Sequence, residues 1–296
     1  MSSQEQLCTF FCDDEISNRA KMILKYDATI LLCENPMSQK ARERIAHTER
    51  RVERRDRKLI HDFSHERATL EEVFDQATRL IIYKFLTEGV LHEVHGVVSA
   101  GKEARVYWGK NKEGTDLAVK IYLTTSADFK RGMYKYIDGD YRFKGVKHDT
   151  RSLIFAWAQK EFRNLDEAVR AGVNVPKPIA VRNNVLVMEF IGEEGVSAPS
   201  LKERKPANPE RIYRQLLLNM SRLYRKADLV HGDLSEYNVM VWKNKPVIFD
   251  MSQSVPTSHP LAKSLLERDL TNVNKFFGRL GVKVLAPDEA YKKVVG

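Results

Sequence analysis

The chain has 296 residues, 43% of them hydrophobic and 30% charged, with a formal net charge of +9. That composition is ordinary for a globular protein and long enough for one large or two modest cored domains, which excludes fibrous and wholly disordered classes. No apolar run reaches the ~18 residues of a membrane-spanning helix, and the positive balance favours a polyanionic partner such as nucleic acid.

Cys8, Cys12 and Cys33 lie near the start without zinc-type spacing. With no signal-like segment, they predict a soluble protein in a reducing, cytoplasmic setting. Residues 1–36 form an extension without recognisable chemistry, and Met37 is a conceivable true start. From Lys40 to Lys58, Lys and Arg dominate and an apolar stripe is almost missing. A helix over 37–68 is therefore either a salt-bridged surface helix, with Glu53 and Arg57 one turn apart, or a helix lying on RNA phosphate. Thr69-Leu-Glu-Glu72 is a capping box, and Leu70, Val73, Phe74, Ala77, Ile81 and Phe85 follow at helical spacing until Gly89. This predicts an amphipathic helix packed on the domain that follows.

Val94–Val98, Arg105–Trp108 and Leu117–Tyr122 read as strands. Between the first two, Ser99, Ala100, Gly101, Lys102, Glu103 and Ala104 form a small-residue loop whose backbone N–H groups can approach phosphate. Gly96–Lys102 also matches the start of a Walker A loop. Glu103 stands where that motif needs Ser or Thr, and a strand follows where it needs a helix, so the Walker reading fails. Lys120 closes the third strand and can reach the α- and β-phosphates of a nucleotide. Residues 124–150 are a long polar and aromatic insertion, either a flap that orders near the nucleotide or a disordered segment. In the next helix Ile154, Trp157, Ala158, Leu165, Ala168 and Val169 share a face, and Glu161 falls in the middle of it. A carboxylate in a packed face needs a cation, and Lys120 is the natural one.

Gly172–Pro178 is a loop, and Val185–Ile191 a buried strand. Its end, at 189–192, is the expected hinge, where the backbone of Glu189 and Ile191 meets an adenine edge and Met188 is a further nucleotide contact. An acidic linker over Gly192–Pro209 precedes a helix over Ile212–Asp228. Then comes Leu229-Val-His-Gly-Asp-Leu-Ser-Glu-Tyr-Asn238, followed by two apolar runs, Val239–Val241 and Val247–Phe249, that read as a hairpin delivering Asp250 back to Asn238. Moving a γ-phosphoryl group needs a residue that orients the acceptor hydroxyl and oxygen ligands for Mg²⁺. Asp233 suits the first task, and Asn238 and Asp250 the second. The spacing is that of a protein-kinase catalytic loop, with Gly232 in place of the usual Arg. A helix over Leu261–Leu280 is the last recognisable element. Residues 251–296 are too few for the peptide-gripping platform of a conventional protein kinase.

Ser99-Ala-Gly-Lys-Glu-Ala, Tyr136-Ile-Asp-Gly-Asp-Tyr-Arg-Phe143, Lys160-Glu-Phe-Arg-Asn-Leu165, Met188-Glu-Phe-Ile-Gly192, the His231–Asn238 loop and Phe249-Asp-Met-Ser-Gln-Ser-Val255 resemble the RIO family of atypical protein kinases, first subfamily and archaeal in type. The resemblance spans about Glu72 to Gly281. It implies an α+β, two-lobed, trimmed kinase fold over 69–296, with an N-lobe to about 188, a hinge at 189–192 and a C-lobe from 193. It further implies ATP with Mg²⁺, Mn²⁺ being a conceivable substitute, autophosphorylation on Ser, and an ATPase mode with a phospho-aspartate at Asp250. The implied partner is the pre-ribosomal small subunit, its RNA or its proteins. Because Met and Ser follow Asp250, the activation-loop switch of ordinary kinases is not expected.

Two other readings stay open on sequence. His-Gly-Asp-Leu also resembles the loop of aminoglycoside and choline kinases, although the acidic helices of their substrate cup are missing. The basic 40–58 segment fits an RNA-binding assembly factor that uses ATP as a conformational switch. Oligomeric state is not legible.

Overall fold

The computed structural model describes residues 75–124, 133, 136–143, 145–147 and 149–296. The readings made on 1–36, 37–68, the Thr69–Glu72 capping box and residues 125–132 of the insertion lie outside the described residues.

Helix α1 runs Gln76–Thr87, and the extended Asp75 caps it by accepting the Thr78 N–H at 2.8 Å. The expected helix from Thr69 to Gly89 is thus corrected at its start, because Asp75 is extended (ψ 156°) and caps a helix that begins at Gln76. Ile81, Ile82 and Phe85 of α1 pack on one face of an antiparallel sheet. Its strands are β1 (Glu93–Ala100), β2 (Ala104–Lys110), β3 (Asp116–Tyr122), β4 (Pro178–Arg182) and β5 (Val185–Glu189), in the order β1-β2-β3-β5-β4. The period of two sorts β3 cleanly. Leu117, Val119 and Ile121 join the core under α1, while Ala118 and Tyr122 join the core on the other face. Lys120, in register between them, faces the same way as Ala118 and Tyr122.

Strand β4 was not read from the sequence. It is a half-buried edge strand beginning with a proline, which an edge position tolerates, and it is too short to show a clear alternation. Asn184, in the turn that joins it to β5, is buried and donates to Thr78 Oγ1 at 3.0 Å and to the Tyr122 carbonyl at 2.9 Å.

Helix α2 (Thr150–Arg170) crosses the second face, capped by Asp149 through the Ser152 N–H at 2.9 Å. Its Ile154, Trp157, Ala158 and Leu165 belong to one continuous core with Leu216, Leu217 and Leu223 of α3 (Pro209–Ala227) and Leu266, Leu270 and Phe277 of α4 (Ala262–Arg279). The C-lobe therefore hangs on helices. The expected linker over 192–209 contains a two-stranded turn, β6 (Gly192–Glu193) with β7 (Val196–Ser197). Gly192 has φ 156° there, and a Cβ on it would lie 2.2 Å from the Val196 carbonyl oxygen, so only glycine fits. Strands β8 (Leu229–Val230) and β11 (Val255–Pro256) pair across the base of the hairpin β9 (Val239–Trp242) and β10 (Lys245–Ile248). Lys243 and Asn244 take positive φ to make that hairpin's two-residue turn. The chain described here ends in α5 (Pro287–Val295), a helix beyond the last one read from sequence, fastened to α3 by Ser221 Oγ donating to the Val294 carbonyl at 3.1 Å.

Phe277 is fully buried, with Tyr213 and Phe276 rings 5.3 Å and 5.1 Å from its own. Phe277→Ala is expected to cost about 3–5 kcal/mol, read as a lowered urea midpoint at unchanged m value.

Candidate active site

The phosphate loop is tighter than the sequence suggested. β1 extends through Ser99 and Ala100, Ala100 pairs with Arg105, and the Gly101 N–H donates to the Ala104 carbonyl at 2.9 Å. Of the six loop residues predicted, only Gly101, Lys102 and Glu103 form the turn; Ser99, Ala100 and Ala104 are strand residues. Gly96 sits inside β1, which is incompatible with a Walker loop. Burial and the charges of Asp250 and Asp233 push the Glu103 carboxyl up, Lys120 opposing them, so Glu103 lies within electrostatic reach of those residues.

Lys120 is two residues short of the end of the seven-residue β3 segment rather than at its end. Its Nζ is 2.8 Å from Glu161 Oε1 and 2.9 Å from Asp250 Oδ1. The side chain is 9% exposed and that of Glu161 is 1% exposed. Burial would lower the Lys120 pKa, but the two carboxylates outweigh it and hold the ammonium charged. Tyr122, two residues along the same face of β3, donates its hydroxyl to Glu161 Oε2. Both oxygens of the buried Glu161 are thereby satisfied.

Asp250 takes left-handed geometry, φ 57° and ψ 65°, at the point where β10 gives way to a one-turn 3₁₀ helix over Met251–Gln253. Such a conformation in a non-glycine residue costs about 1–2 kcal/mol and persists only when neighbours hold it. Here Lys120 and the Ser252 hydroxyl, at 2.7 Å, both donate to Oδ1. The partial burial of Asp250 would raise its carboxyl; the Lys120 charge and these donors hold it down at about 2. It is a carboxylate at any working pH.

The catalytic-loop residues are fixed from below. Asp269 of α4, buried at 1% exposure, accepts the Gly232 and Leu234 N–H groups at 2.8 Å each. Arg268 donates to the Gly232 carbonyl and stands 3.8 Å from Asp233 Oδ1. His231 is buried; its Nε2 meets the Phe249 carbonyl at 3.2 Å, so that nitrogen carries the proton and Nδ1 accepts the Asp233 N–H at 3.3 Å. Burial lowers the His231 pKa and keeps that neutral tautomer. Gly232 needs its positive φ of 80°, and a Cβ there would meet the Gln253 carbonyl at 3.0 Å, which explains why the Arg of other kinase loops has no place here. Asn238 turns its amide nitrogen to the Asp233 carbonyl, 2.8 Å away. That leaves its carbonyl oxygen, with the Asp250 carboxylate, as two hard oxygen donors. Their chemistry fits Mg²⁺, which commonly takes one or two protein oxygens and completes its shell with phosphates and water.

At the expected hinge, Met188 is buried in the sheet. The Glu189 N–H is engaged by the Lys177 carbonyl at 2.8 Å, and the Ile191 carbonyl by the Ala198 N–H at 2.8 Å. An adenine edge would thus meet the other backbone groups of these residues.

Several residues were given no role by the sequence reading, although Arg142, Lys160, Asn164 and Ser252 lie in the runs that carry the resemblance. Tyr122, Ser252, Asp269 and Arg268 support the predicted set directly. Lys160, Asn164 and Arg142 hold the turn after Asp250: Lys160 Nζ donates to the Ser252 carbonyl at 3.1 Å, Asn164 Nδ2 to those of Met251 at 2.7 Å and Ser254 at 3.2 Å, and Arg142, ion-paired with Asp140, to Asn164 Oδ1 at 2.6 Å. Asp269 and Lys160 carry the same signal that exposed Glu161, a charge inside an apolar helix face.

Burial pulls the Lys160 pKa from 10.5 to about 7, with Arg142 adding to the fall and Asp140 and Glu161 opposing it. Between those two values the unfolded chain binds one more proton than the folded one, so the penalty for burying this group is full below about pH 7 and is relieved as pH rises. The stability advantage of Lys160→Met over the wild type is expected to shrink by about 1.4 kcal/mol per pH unit across that window, measured by denaturant melts.

A protein-family model for the RIO domain matches residues 105–290. The RIO-type serine/threonine-protein kinase Rio1 of Methanocaldococcus jannaschii is 41% identical over 272 residues, which cover 92% of this chain and 89% of that protein. Rio1 of Haloferax volcanii is 44% identical over 226 residues, 76% of this chain and 77% of that protein. RIO1 of Caenorhabditis elegans is 42% identical over 247 residues, 82% of this chain but 48% of that protein. The chain thus spans about half the length of this animal relative and most of the archaeal ones. Among solved structures, the Rio2 kinase-ADP/Mg²⁺-phosphoaspartate complex of Chaetomium thermophilum superposes with a TM-score of 0.54 at 20% identity, over 72% of this chain and 65% of that one, a likeness of fold. With a family model matched over most of its length and one archaeal relative matched nearly end to end, the chain belongs to the RIO family of atypical serine/threonine protein kinases.

Proposed function

We propose that this protein uses Mg²⁺ and ATP to transfer a γ-phosphoryl group to a serine hydroxyl, to water through Asp250, or to both. The observation that carries the reading is the Lys120 ammonium held between Glu161 and Asp250 at 2.8 Å and 2.9 Å. In it, residues far apart in sequence converge on one charged atom.

Lys120, oriented by Glu161, would hold the α- and β-phosphates, and the Gly101–Glu103 turn would cover them. Asp233, whose own N–H is held by His231 and whose neighbours Gly232 and Leu234 are held by Asp269, would orient the acceptor hydroxyl. Asn238 and Asp250 would hold Mg²⁺, which when bound neutralises phosphate charge. The Asp250 carboxylate is also a candidate acceptor in its own right. In that mode its oxygen bonds the γ-phosphorus as ADP leaves, and water later cleaves the acyl phosphate to inorganic phosphate. The phosphoaspartate complex of the related Rio2 kinase supports this. The resemblance supports a role on a precursor of the small ribosomal subunit in the cytoplasm. Among the described residues no helix is long and apolar enough to cross a membrane.

Asp233→Ala keeps the main-chain carbonyl that anchors Asn238. It is expected to retain ATP binding and to lose turnover by about 10²–10⁴-fold. Lost binding in a folded variant would contradict the role given to Asp233. The fate of label from γ-³²P-ATP, with and without small-subunit particles, separates the modes. Hydroxylamine-labile label that vanishes in Asp250→Asn means the ATPase route, stable label on serine means the kinase route, and no transfer or hydrolysis by wild type overturns the proposal.

A further inference from the structure

Lys160 immediately precedes Glu161 on α2 but points into a different environment. Its side chain is buried at 2% exposure. The Nζ lies 4.4 Å from the centre of the Trp157 ring and 5.9 Å from those of Tyr136 and Phe143, and it donates to the Ser252 carbonyl at 3.1 Å. The charged groups around it are Arg142 and Asp140 from the insertion and Glu161 on its own helix. An amino group so placed is costly, and burial lowers its pKa accordingly. Aromatic faces and one carbonyl offset part of the cost, but an apolar side chain of the same length would fill the space without it. Packing alone therefore does not account for a lysine here.

What the amino group reaches does. Ser252 is the residue whose hydroxyl donates to Asp250 Oδ1 at 2.7 Å, beside the Lys120 ammonium on the same oxygen. Both donors converge on Oδ1, so Oδ2 remains for a cation. We propose that Lys160 is a positioning residue for the phosphoryl-transfer site: by gripping the Ser252 carbonyl it fixes the turn after Asp250, so that Ser252 Oγ holds Asp250 in its left-handed, metal-accepting geometry. The inference rests on the phosphoryl-transfer reading above. Its ring cage is completed by Tyr136 and Phe143, so the same contact ties the described part of the insertion to the metal-binding Asp. Asn164 and Arg142 bind the neighbouring carbonyls and form the rest of the clamp.

Lys160→Met removes the donor and keeps the length and apolar bulk. The expected result has opposite signs in two readouts. The melting temperature at neutral pH stays the same or rises, while kcat falls about tenfold or more. The Mg²⁺ concentration for half-maximal turnover rises several-fold, with KM for ATP little changed. Amide hydrogen exchange at Met251–Ser254 accelerates in the variant. Unchanged kcat and Mg²⁺ dependence would overturn the proposal, as would a loss of kcat that merely follows a lowered melting temperature. If wild type itself shows no turnover, the phosphoryl-transfer reading has failed. The exchange measurement still decides the clamp, unaltered rates at 251–254 refuting it.

Discussion

One buried cation organises this molecule. The Lys120 ammonium rises from the sheet, meets Glu161 from the helix that crosses the sheet, and reaches Asp250 from the C-lobe loop. A buried ion pair of this kind contributes little to stability relative to apolar replacement, because desolvation consumes most of the Coulombic gain. Its value lies in geometry: removing Lys120 would leave the buried Glu161 carboxylate and Asp250 without the cation they share, so the three elements are held in a single arrangement. The Tyr122 hydroxyl on the second oxygen of Glu161 completes the set.

Asp250 presents the opposite problem, since its backbone conformation is unfavourable and its carboxylate must stay open towards the cleft. The side chain is 43% exposed, so burial does not hold it. Polar bonds do: Ser252 on the carboxylate, then Lys160, Asn164 and Arg142 on the carbonyls of the following turn. Conventional kinases move this region to switch on and off. Here the turn is held by Lys160 and Asn164 of α2 and by Arg142 of the insertion, and the loop between Asp250 and α4 is short, which agrees with the replacement of Phe-Gly by Met-Ser after Asp250. The catalytic loop is treated likewise, with Asp269 and His231 taking up its N–H groups.

Much of this was legible because the signals were local or chemically costly. Glu161 stood out as a charge in an apolar stripe, and the hairpin that returns Asp250 to Asn238 follows from two short apolar runs around a turn. Glycine at 232 read as a departure from the kinase pattern, and the Gln253 carbonyl pressed against it supplies the reason. What stayed hidden depends on distant partners. Strand β4 gains its identity only from β5, and α5 from its contact with α3. The phosphate loop looked six residues long because small residues also suit the ends of strands. Asp269 and Lys160 carried the same signal as Glu161, but their partners are backbone groups, which no side-chain pattern announces.

The most direct test of the account is electron paramagnetic resonance of Mn²⁺ titrated with a non-hydrolysable ATP analogue into wild type, Asp250→Ala and Asn238→Ala. The account predicts tightly held Mn²⁺ in wild type only when the nucleotide is present, weakened by Asn238→Ala and abolished by Asp250→Ala in variants of native circular dichroism. Nucleotide-dependent Mn²⁺ binding that survives Asp250→Ala undiminished would contradict it, because the metal would then be held by groups other than those the Lys120 bridge brings together.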